Sequence, residues 1–307
     1  MRVFGSVRAH PGPPTISFHP APAPVGGGER FTIVIPTWNN LPLLRLCLDA
    51  VRRHSAFRHQ VVLHVNDGRD GTLALARAEG LDHTWSPRNA GICLPVNAAA
   101  TLARTDWIVY MNDDMVPCPG WDAALWEALR RIGHHRCSLS STLLEPHGVN
   151  PAALPPEDFG RDAASFREAD LLAALPRLHR PDWSGASWPP NLVHRSLWQL
   201  VGGLSPEFSP GAYSDPDLSR KLWQAGVREF VGVGRSVVYH FRQQTLRRTG
   251  ANDGRRQFAR KWGMTARFFY ERVLRMGQDH QGPLPELTEV PGVRRARVLS
   301  WRFHLLP

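Results

Sequence analysis

The sequence predicts an α/β fold with a mostly parallel central sheet flanked by helices. Between residues 31 and 111, short apolar runs rich in β-branched residues alternate with helical stretches. Strands that alternate with helices over so short a distance pair in parallel through right-handed crossovers. With 307 residues and a mass of 34.4 kDa, the chain can bury a full core, as one large domain or two modest ones.

The first strand is FTIVIP, residues 31–36, which follows Gly28 and ends in a proline. It leads into the helix LPLLRLCLDAVRRH, whose apolar residues fall on one stripe. The next elements in order are a strand at 59–65, a helix in TLALARAEG, a short strand at 83–85, a helix at 92–102 and a strand at 106–111. Because the carboxyl ends of parallel strands meet at one edge, we expect the ligand site there.

The second half has weaker signals. Residues 138–190 combine scattered Pro, His and Trp with weak periodicity, which predicts irregular structure carrying one helix at 163–175. Later helices are predicted in NLVHRSLWQLVGG, DPDLSRKLWQAG and NDGRRQFARKW, the last capped by Asn252, and two short strands in REFVGVGRSVVYHF.

The expected boundaries are a flexible Pro/Gly-rich segment over 1–29, a folded domain over 30–277 and a basic tail over 278–307. In the tail, Trp301, Phe303 and Leu305 stand at alternate positions. This pattern favours a frayed tail or an edge strand, with an anchor on a membrane surface as the alternative.

The composition excludes several classes of protein. A hydrophobic content of 42% argues against a disordered chain, and the absence of any eighteen-residue apolar stretch argues against a membrane-spanning helix. The N-terminal residues lack a signal-peptide pattern, so we expect a cytoplasmic protein. The four cysteines have no ligand spacing and fit reduced thiols. The net charge of +10 says little about partners, since all the basic residues except Lys221 and Lys261 are arginines, a bias that GC-rich coding can produce.

Polar and acidic residues follow each of the four predicted strands. These loops are PTWNN, NDGRDG, SPRNAG and NDDM. Asp113 and Asp114 follow a hydrophobic strand, where a divalent cation would justify the burial of two carboxylates. The alternative is a turn with an N-capping aspartate before the helix at Trp121.

From Phe31 to Gly277 the chain resembles the family 2 glycosyltransferases of GT-A fold. The resemblance rests on FTIVIPTWNN, HVNDGRDGT, RNAG, MNDDM, SDPDLSRKLWQAG and VVYHF. It implies a nucleotide-binding half over 30–137 and an acceptor-binding, catalytic half over 138–277. Asn112 stands where many relatives carry a first aspartate, and Ser214 where glutamate is common.

The resemblance also implies roles for individual residues. Trp38 and Asn39 would contact the nucleotide base, and Asp67 would accept a hydrogen bond from the base edge. The other implied donor-binding residues are Pro36, Thr37, Arg88, Asn89, Gly91, Asn112 and Asp113. Asp114 and His240 would hold Mn²⁺ or Mg²⁺, and a purely structural His240 is the alternative. The position of Arg242, Arg247 and Arg248 after His240 itself predicts a polar loop that could close over phosphates, with a solvated basic loop as the alternative.

Asp215 would be the general base, with an N-cap role before Pro216 as the alternative, and Asp217 would be structural. The implied reaction is a metal-dependent, inverting transfer of sugar from a UDP-, GDP- or dTDP-linked donor. The acceptor would be a glycan or glycolipid hydroxyl, as in polysaccharide biosynthesis. Alternatives are a sugar-phosphate nucleotidylyltransferase and a non-catalytic binder of anionic ligands. No nucleic-acid partner is expected, and the tail is the candidate contact with the inner membrane face.

Overall fold

The structure is a computed structural model that describes residues 15–22, 27–242 and 252–301. The strands in these residues are β1 (Ser17–His19), β2 (Glu29–Trp38), β3 (Arg58–Asn66), β4 (Asp82–Ser86), β5 (Trp107–Tyr110), β6 (Met115–Pro117), β7 (Cys137–Leu144), β8 (Trp183–Ser184), β9 (Asn191–His194) and β10 (Glu229–His240). The helices are α1 (Leu41–His54), α2 (Thr72–Ala78), α3 (Cys93–Ala100), α4 (Trp121–Ile132), α5 (Glu168–Ala174), α6 (Arg195–Val201), α7 (Ser214–Gln224), α8 (Gly254–Trp262), α9 (Ala266–Phe268) and α10 (Val293–Ser300). A π-helical turn, Phe269–Val273, continues α9.

All ten of these strands join one sheet. Its order is β1-β4-β3-β2-β5-β9-β7-β10-β6, and β8 pairs with β10. Strands β2 to β5 lie parallel to one another, while β9 pairs antiparallel with both β5 and β7. Since β10 is parallel to β7, six strands share one direction and end at the same edge. The predicted α/β class with a mostly parallel sheet is therefore confirmed.

Two hydrophobic clusters cover the two faces of the sheet. Along β2, Ile33 and Ile35 pack with α1, α2 and α4, whereas Val34 points to the opposite cluster. That second cluster contains residues of α3, α6, α7, α8, α9 and α10. The alternation follows from the period of two in a strand, and burial on both faces explains the continuous apolar run FTIVI.

The 138–190 region differs most from its prediction. Strand β7 lies there, between β9 and β10, and all eight of its residues are buried. Its sequence CSLSSTLL has no apolar run. Its serine and threonine side chains can nevertheless be buried, because their polar atoms form hydrogen bonds. Asn191 Nδ2 donates to the hydroxyls of Ser138 and Ser140, and Trp183 Nε1 donates to Thr142.

Other elements also depart from the predictions. NLVH forms β9 and only the residues after it are helical, in α6. The two short strands predicted in REFVGVGRSVVYHF are one strand with an irregularity between Val233 and Val237. Asp253 precedes α8, and Asn252 accepts a hydrogen bond from the Gly254 N–H without being the capping residue.

The chain ends also carry structure. In the segment predicted to be flexible, β1 pairs antiparallel with β4. In the tail predicted to be frayed or an edge strand, α10 is a helix with Val293 and Ser300 buried. Phe303 and Leu305 lie outside the described residues. No helix in the described part of the chain is long and apolar enough to cross a membrane.

Candidate functional site

The loops after β2 and β3 meet at the carboxyl edge of the sheet. Asn39 Nδ2 donates to Asp67 Oδ2 at 3.1 Å, and Asn39 Oδ1 accepts from the Gly68 N–H at 3.2 Å. Asn39 and Asp67 both have positive φ, 47° and 63°, values that Asn and Asp tolerate better than most residues. A hydrogen bond from Arg69 lowers the pKa of the Asp67 carboxyl. The structure thus brings together two of the residues that the resemblance assigned to the base.

The loop after β4 is tied to the same edge by Asn66, which the sequence analysis missed as a site residue. Its Oδ1 accepts from the Ala90 N–H at 2.8 Å, and its Nδ2 donates to the Gly91 carbonyl. Gly91 has φ +81°, and a Cβ there would lie 3.0 Å from Pro210 Cα. In this structure Gly91 lets the loop pack against the segment that precedes α7.

The remaining residues of these loops have mixed environments. Arg88 is exposed, and its carbonyl accepts from the Ser86 hydroxyl. Asn89 is half-buried and accepts from the Gly91 N–H at 2.9 Å. Pro36 and Trp38 are half-buried at the end of β2, where Trp38 pairs in register with Asn66.

Two buried carboxylates follow β5. Asp113 is 8% exposed and Asp114 5% exposed, while the neighbouring Asn112 is half-buried. Burial, followed by the charge of Asp114, raises the pKa of Asp113 to about 7. The side chains of Thr37 and Asn40 act in the opposite direction by stabilising the charged form of Asp113. Gly120 is the N-cap residue of α4 and no side chain caps that helix, so the alternative of an N-capping aspartate is wrong.

His240 ends β10 between two carboxylates. Its Nε2 lies 3.4 Å from Asp114 Oδ1, and its Nδ1 lies 2.9 Å from Glu145 Oε1. Register explains this contact, because His240 pairs with Met115 and the Phe241 N–H donates to the Asp114 carbonyl. Although burial opposes it, the two carboxylates raise the pKa of His240 to about 9.

Glu145 is a site residue that the sequence analysis did not find. It follows β7, is 5% exposed, and its Oε2 lies 3.6 Å from Arg242 NH1. Only the pairing of β7 with β10 brings it to His240, and the weak strand signal of CSLSSTLL hid that position. Arg247 and Arg248, predicted on the same loop as Arg242, lie outside the described residues.

Asp114 and His240 are the residues that could hold a divalent cation. Within the described residues no group of three or more His, Cys, Asp or Glu side chains has the geometry of a metal site. Mg²⁺ and similar ions are, however, often held by one or two protein side chains together with substrate phosphate oxygens. Glu145 on the far nitrogen of His240 is a typical partner of a metal-binding histidine. These residues fit a cation whose remaining ligands are supplied by a diphosphate.

Asp215 lies in the first turn of α7, beside a cavity of about 550 Å³. Burial of its carboxyl raises the pKa of Asp215 to about 7. Trp188, Tyr213 and Tyr270 also line this cavity, and Trp188 Nε1 donates to the Tyr270 hydroxyl at 3.1 Å. Trp183 and Trp198, the other tryptophans of this region, are buried in the core.

Tyr110, at the end of β5, is influenced both by Asp215 beside this cavity and by the two carboxylates that follow β5. It is 3% exposed, and after burial the charges of Asp215, Asp113 and Asp114 all raise the pKa of its phenol. Tyr110 therefore lies within electrostatic range of all three carboxylates. The arrangement concentrates negative charge at one edge of the sheet, where a cation and a proton are the natural ligands.

Asp217, two residues after Asp215, has a different environment. It is fully buried, and its carboxylate accepts from Trp262 Nε1 at 2.8 Å and from the Ser205 hydroxyl at 2.5 Å. Lys261 Nζ lies 2.8 Å from the same carboxylate. These contacts tie α7 to α8, so Asp217 stabilises the fold.

Comparison with known proteins finds a family match in the first half of the chain. Residues 32–138 match the model of the family described as glycosyl transferase family 2. The match begins within β2, extends past β5 and includes both carboxylates of the NDDM loop, so it confirms the resemblance for the motifs within residues 32–138. A search of curated proteins finds no match.

Solved structures also resemble the chain. A crystal structure of GalNAc-T7 with UDP, GalNAc and Mn²⁺ is 13% identical, with a TM-score of 0.57, and the match covers 89% of this chain and 55% of that one. A crystal structure of S. aureus TarS 1–349 is 15% identical, with a TM-score of 0.44, and the match covers 70% of this chain and 59% of that one. The chain spans somewhat more than half the length of these proteins. The first likeness supports the α/β fold described above.

Proposed function

We propose that the protein is a nucleotide-sugar-dependent glycosyltransferase that moves a sugar to a hydroxyl group of a glycan or glycolipid. The observation that carries this proposal is the group of three carboxylates, Asp113, Asp114 and Asp215, within electrostatic range of Tyr110, in a chain whose residues 32–138 match the model of glycosyl transferase family 2. One part of this set, Asp114 with His240, suits a cation. The other, Asp215, suits a proton and lines the cavity of about 550 Å³.

The donor nucleotide would bind across the loops after β2, β3 and β4. Trp38 would offer an aromatic face to the base, while Asp67, held by Asn39, would accept a hydrogen bond from the base edge. Arg88 and Asn89 would bind the sugar or diphosphate. Asn112 and Asp113 would contact the ribose and phosphate side. The hydrogen bonds between these loops support the proposal because they preorganise the donor site before the nucleotide enters.

The reaction would depend on Mn²⁺ or Mg²⁺, held by Asp114 and His240 together with the donor's diphosphate. A cation at this place stabilises the negative charge that develops on the departing nucleoside diphosphate. Glu145 would hold the His240 ring in the orientation that presents Nε2 to the cation. The GalNAc-T7 structure contains UDP and Mn²⁺, which makes them the first nucleotide and ion to test.

Asp215 would act as the general base. The acceptor oxygen forms a bond to the anomeric carbon of the donor sugar, the bond from that carbon to the diphosphate breaks, and the acceptor proton passes to the Asp215 carboxylate. A direct displacement of this kind inverts the anomeric carbon. The raised pKa of Asp215, about 7, suits a base that works near neutral pH.

The acceptor would occupy the cavity beside Asp215. Its aromatic lining, Trp188, Tyr213 and Tyr270, offers flat faces on which a sugar ring can pack. Trp188→Ala is therefore expected to raise the acceptor KM while the affinity for the donor nucleotide stays unchanged. An equal loss of donor affinity would contradict this placement of the acceptor.

The test of the whole proposal is incubation with a panel of UDP-, GDP- and dTDP-linked sugars and Mn²⁺. We expect release of nucleoside diphosphate that stops when EDTA is added. Release of pyrophosphate from a nucleoside triphosphate and a sugar 1-phosphate, with no nucleoside diphosphate released from the panel, would instead indicate a nucleotidylyltransferase, whose glycine-rich first loop is replaced here by PTWNN. Metal-independent release would contradict the roles given to Asp114 and His240.

A further inference from the structure

The C-terminal helix α10 has one buried side and one exposed side. Val293 and Ser300 are buried, and Ala296 packs against the core cluster that includes Phe269 and Val273. We call the exposed side the α10 outer face. It consists of Arg294, Arg295, Val298, Leu299 and Trp301.

The α10 outer face is unusually apolar for exposed surface. Val298 is 72% exposed, Leu299 50% and Trp301 70%. Six large apolar side chains are at least half exposed in the described part of the chain, and these three residues supply half of them within four positions. Such a concentration marks an interaction surface, whereas apolar side chains scattered singly do not.

The same face is strongly basic. Within the described residues neither Arg294 nor Arg295 forms an ion pair. The sequence from residue 290 to residue 307 contains four arginines and no acidic residue. An occupant of this face therefore has to combine negative charge with an apolar phase that accepts valine, leucine and tryptophan.

We propose that the α10 outer face binds the surface of an anionic lipid bilayer. Its arginines would pair with lipid phosphates, and Val298, Leu299 and Trp301 would enter the boundary between headgroups and acyl chains. A symmetric dimer through this face would bring the arginines of both copies together, which opposes that occupant. A nucleic acid would neutralise the arginines but would leave the aliphatic side chains without an apolar environment.

The position of α10 gives this binding a consequence for the acceptor. Phe269 and Val273, in the segment Ala266–Val273, belong to the same hydrophobic cluster as Val293 of α10, and Ala266 and Tyr270 of this segment line the cavity beside Asp215. Attachment at the α10 outer face would bring this wall of the cavity close to the bilayer. On the proposed function, on which this consequence rests, the acceptor is then a lipid-linked glycan.

The test is co-flotation of the full chain with vesicles of phosphatidylcholine alone and of phosphatidylcholine with phosphatidylglycerol. We expect binding only to the anionic vesicles, weakened by salt. Each arginine near such a surface is worth about fivefold in partitioning, so Arg294→Gln/Arg295→Gln is expected to weaken binding about twenty-five-fold. Val298→Ser/Trp301→Ser, in which both residues are exposed, is also expected to weaken binding without unfolding the chain.

Two matched controls distinguish vesicle binding through the α10 outer face from general effects of surface charge and hydrophobicity. Arg130→Gln/Arg136→Gln also removes two positive charges from exposed positions. Arg130 lies in α4 and Arg136 follows it, and α4 packs on the other side of the sheet. Leu200→Ser removes an exposed apolar side chain from α6. Both controls are expected to bind as the wild type does.

Three results would overturn the proposal: no binding to anionic vesicles, equal loss in the controls and the α10 variants, or a dimer that the α10 variants dissociate. Vesicle binding needs no donor or turnover, so its failure is distinguishable from failure of the proposed glycosyl transfer.

Discussion

The strongest prediction concerns Asp215 and pH. Burial raises the pKa of this carboxyl from its usual 3.8 to about 7, and the proposed base acts only when ionised. The ionised fraction is then about one half at pH 7 and about one tenth at pH 6, falling tenfold for each further unit. We expect kcat at saturating donor to decline along this limb as the pH is lowered. Saturating donor matters because Asp113, with its pKa also raised to about 7, lies on the donor side.

The variant Asp215→Asn removes the base while keeping the shape of the side chain. Turnover is expected to fall by about 10²- to 10⁴-fold, the range typical of general-base loss, with UDP affinity unchanged. The residual kcat of this variant should no longer decline as the pH is lowered. Asp217→Asn is the matched control on the same helix, expected to lower stability through its contacts with Trp262 and Lys261 without moving the pH profile.

Stability gives a second readout of Asp215. Its folded-state pKa lies above the unfolded value, so ionisation disfavours the folded state progressively between about pH 4 and pH 7. Asp215→Asn is therefore expected to stabilise the fold at pH 8 relative to the wild type and to have little effect at pH 4. Full turnover in Asp215→Asn, or a kcat that stays flat between pH 8 and pH 6, would refute the assignment.

Three further substitutions test other parts of the site. Asp114→Ala is expected to abolish the Mn²⁺ dependence of UDP binding, measured by calorimetry with and without the ion. Glu145→Gln is expected to weaken Mn²⁺ binding in the presence of UDP by about 10- to 100-fold, since Glu145 orients His240. Gly91→Ala is expected to lower the free energy of unfolding by about 2 kcal/mol or more, because positive φ and contact with Pro210 both oppose a Cβ.

Each of these substitutions has a control or a contradicting result. Asp114→Ala with unchanged Mn²⁺-dependent affinity would remove Asp114 from the cation site. Glu157→Gln, at a half-buried position after β7 where the side chain pairs with Arg177, should leave Mn²⁺ affinity unaltered, and an effect equal to that of Glu145→Gln would argue against orientation of His240. Gly80→Ala has φ +60° and open space around its Cβ, so it isolates the backbone cost. Equal destabilisation by Gly80→Ala and Gly91→Ala would discount the contact with Pro210.

Local patterns in the sequence determined the first half of the protein. Apolar runs such as FTIVI and the stripe of LPLLRLCLDAVRRH predicted β2 and α1, since periodicity reports which face of an element is buried. The parallel pairing that follows from this alternation placed the loops with Asn39, Asp67 and Asp114 at one edge. That much of the candidate site needed no tertiary information.

Only the tertiary structure decided the position of Glu145 and its relation to His240. Strand β7 is stabilised by hydrogen bonds that its serines and threonines form with residues far along the chain, such as Asn191 and Trp183. Because these hydrogen-bond partners are far from β7 in the sequence, a local sequence pattern cannot reveal the strand. The antiparallel strand β9 lets β7 and β10 run in the direction of β5, so their carboxyl ends reach the Asp114 edge. The same long-range packing placed Asp215 in one cavity with Tyr270, within electrostatic range of Tyr110, and raised its pKa.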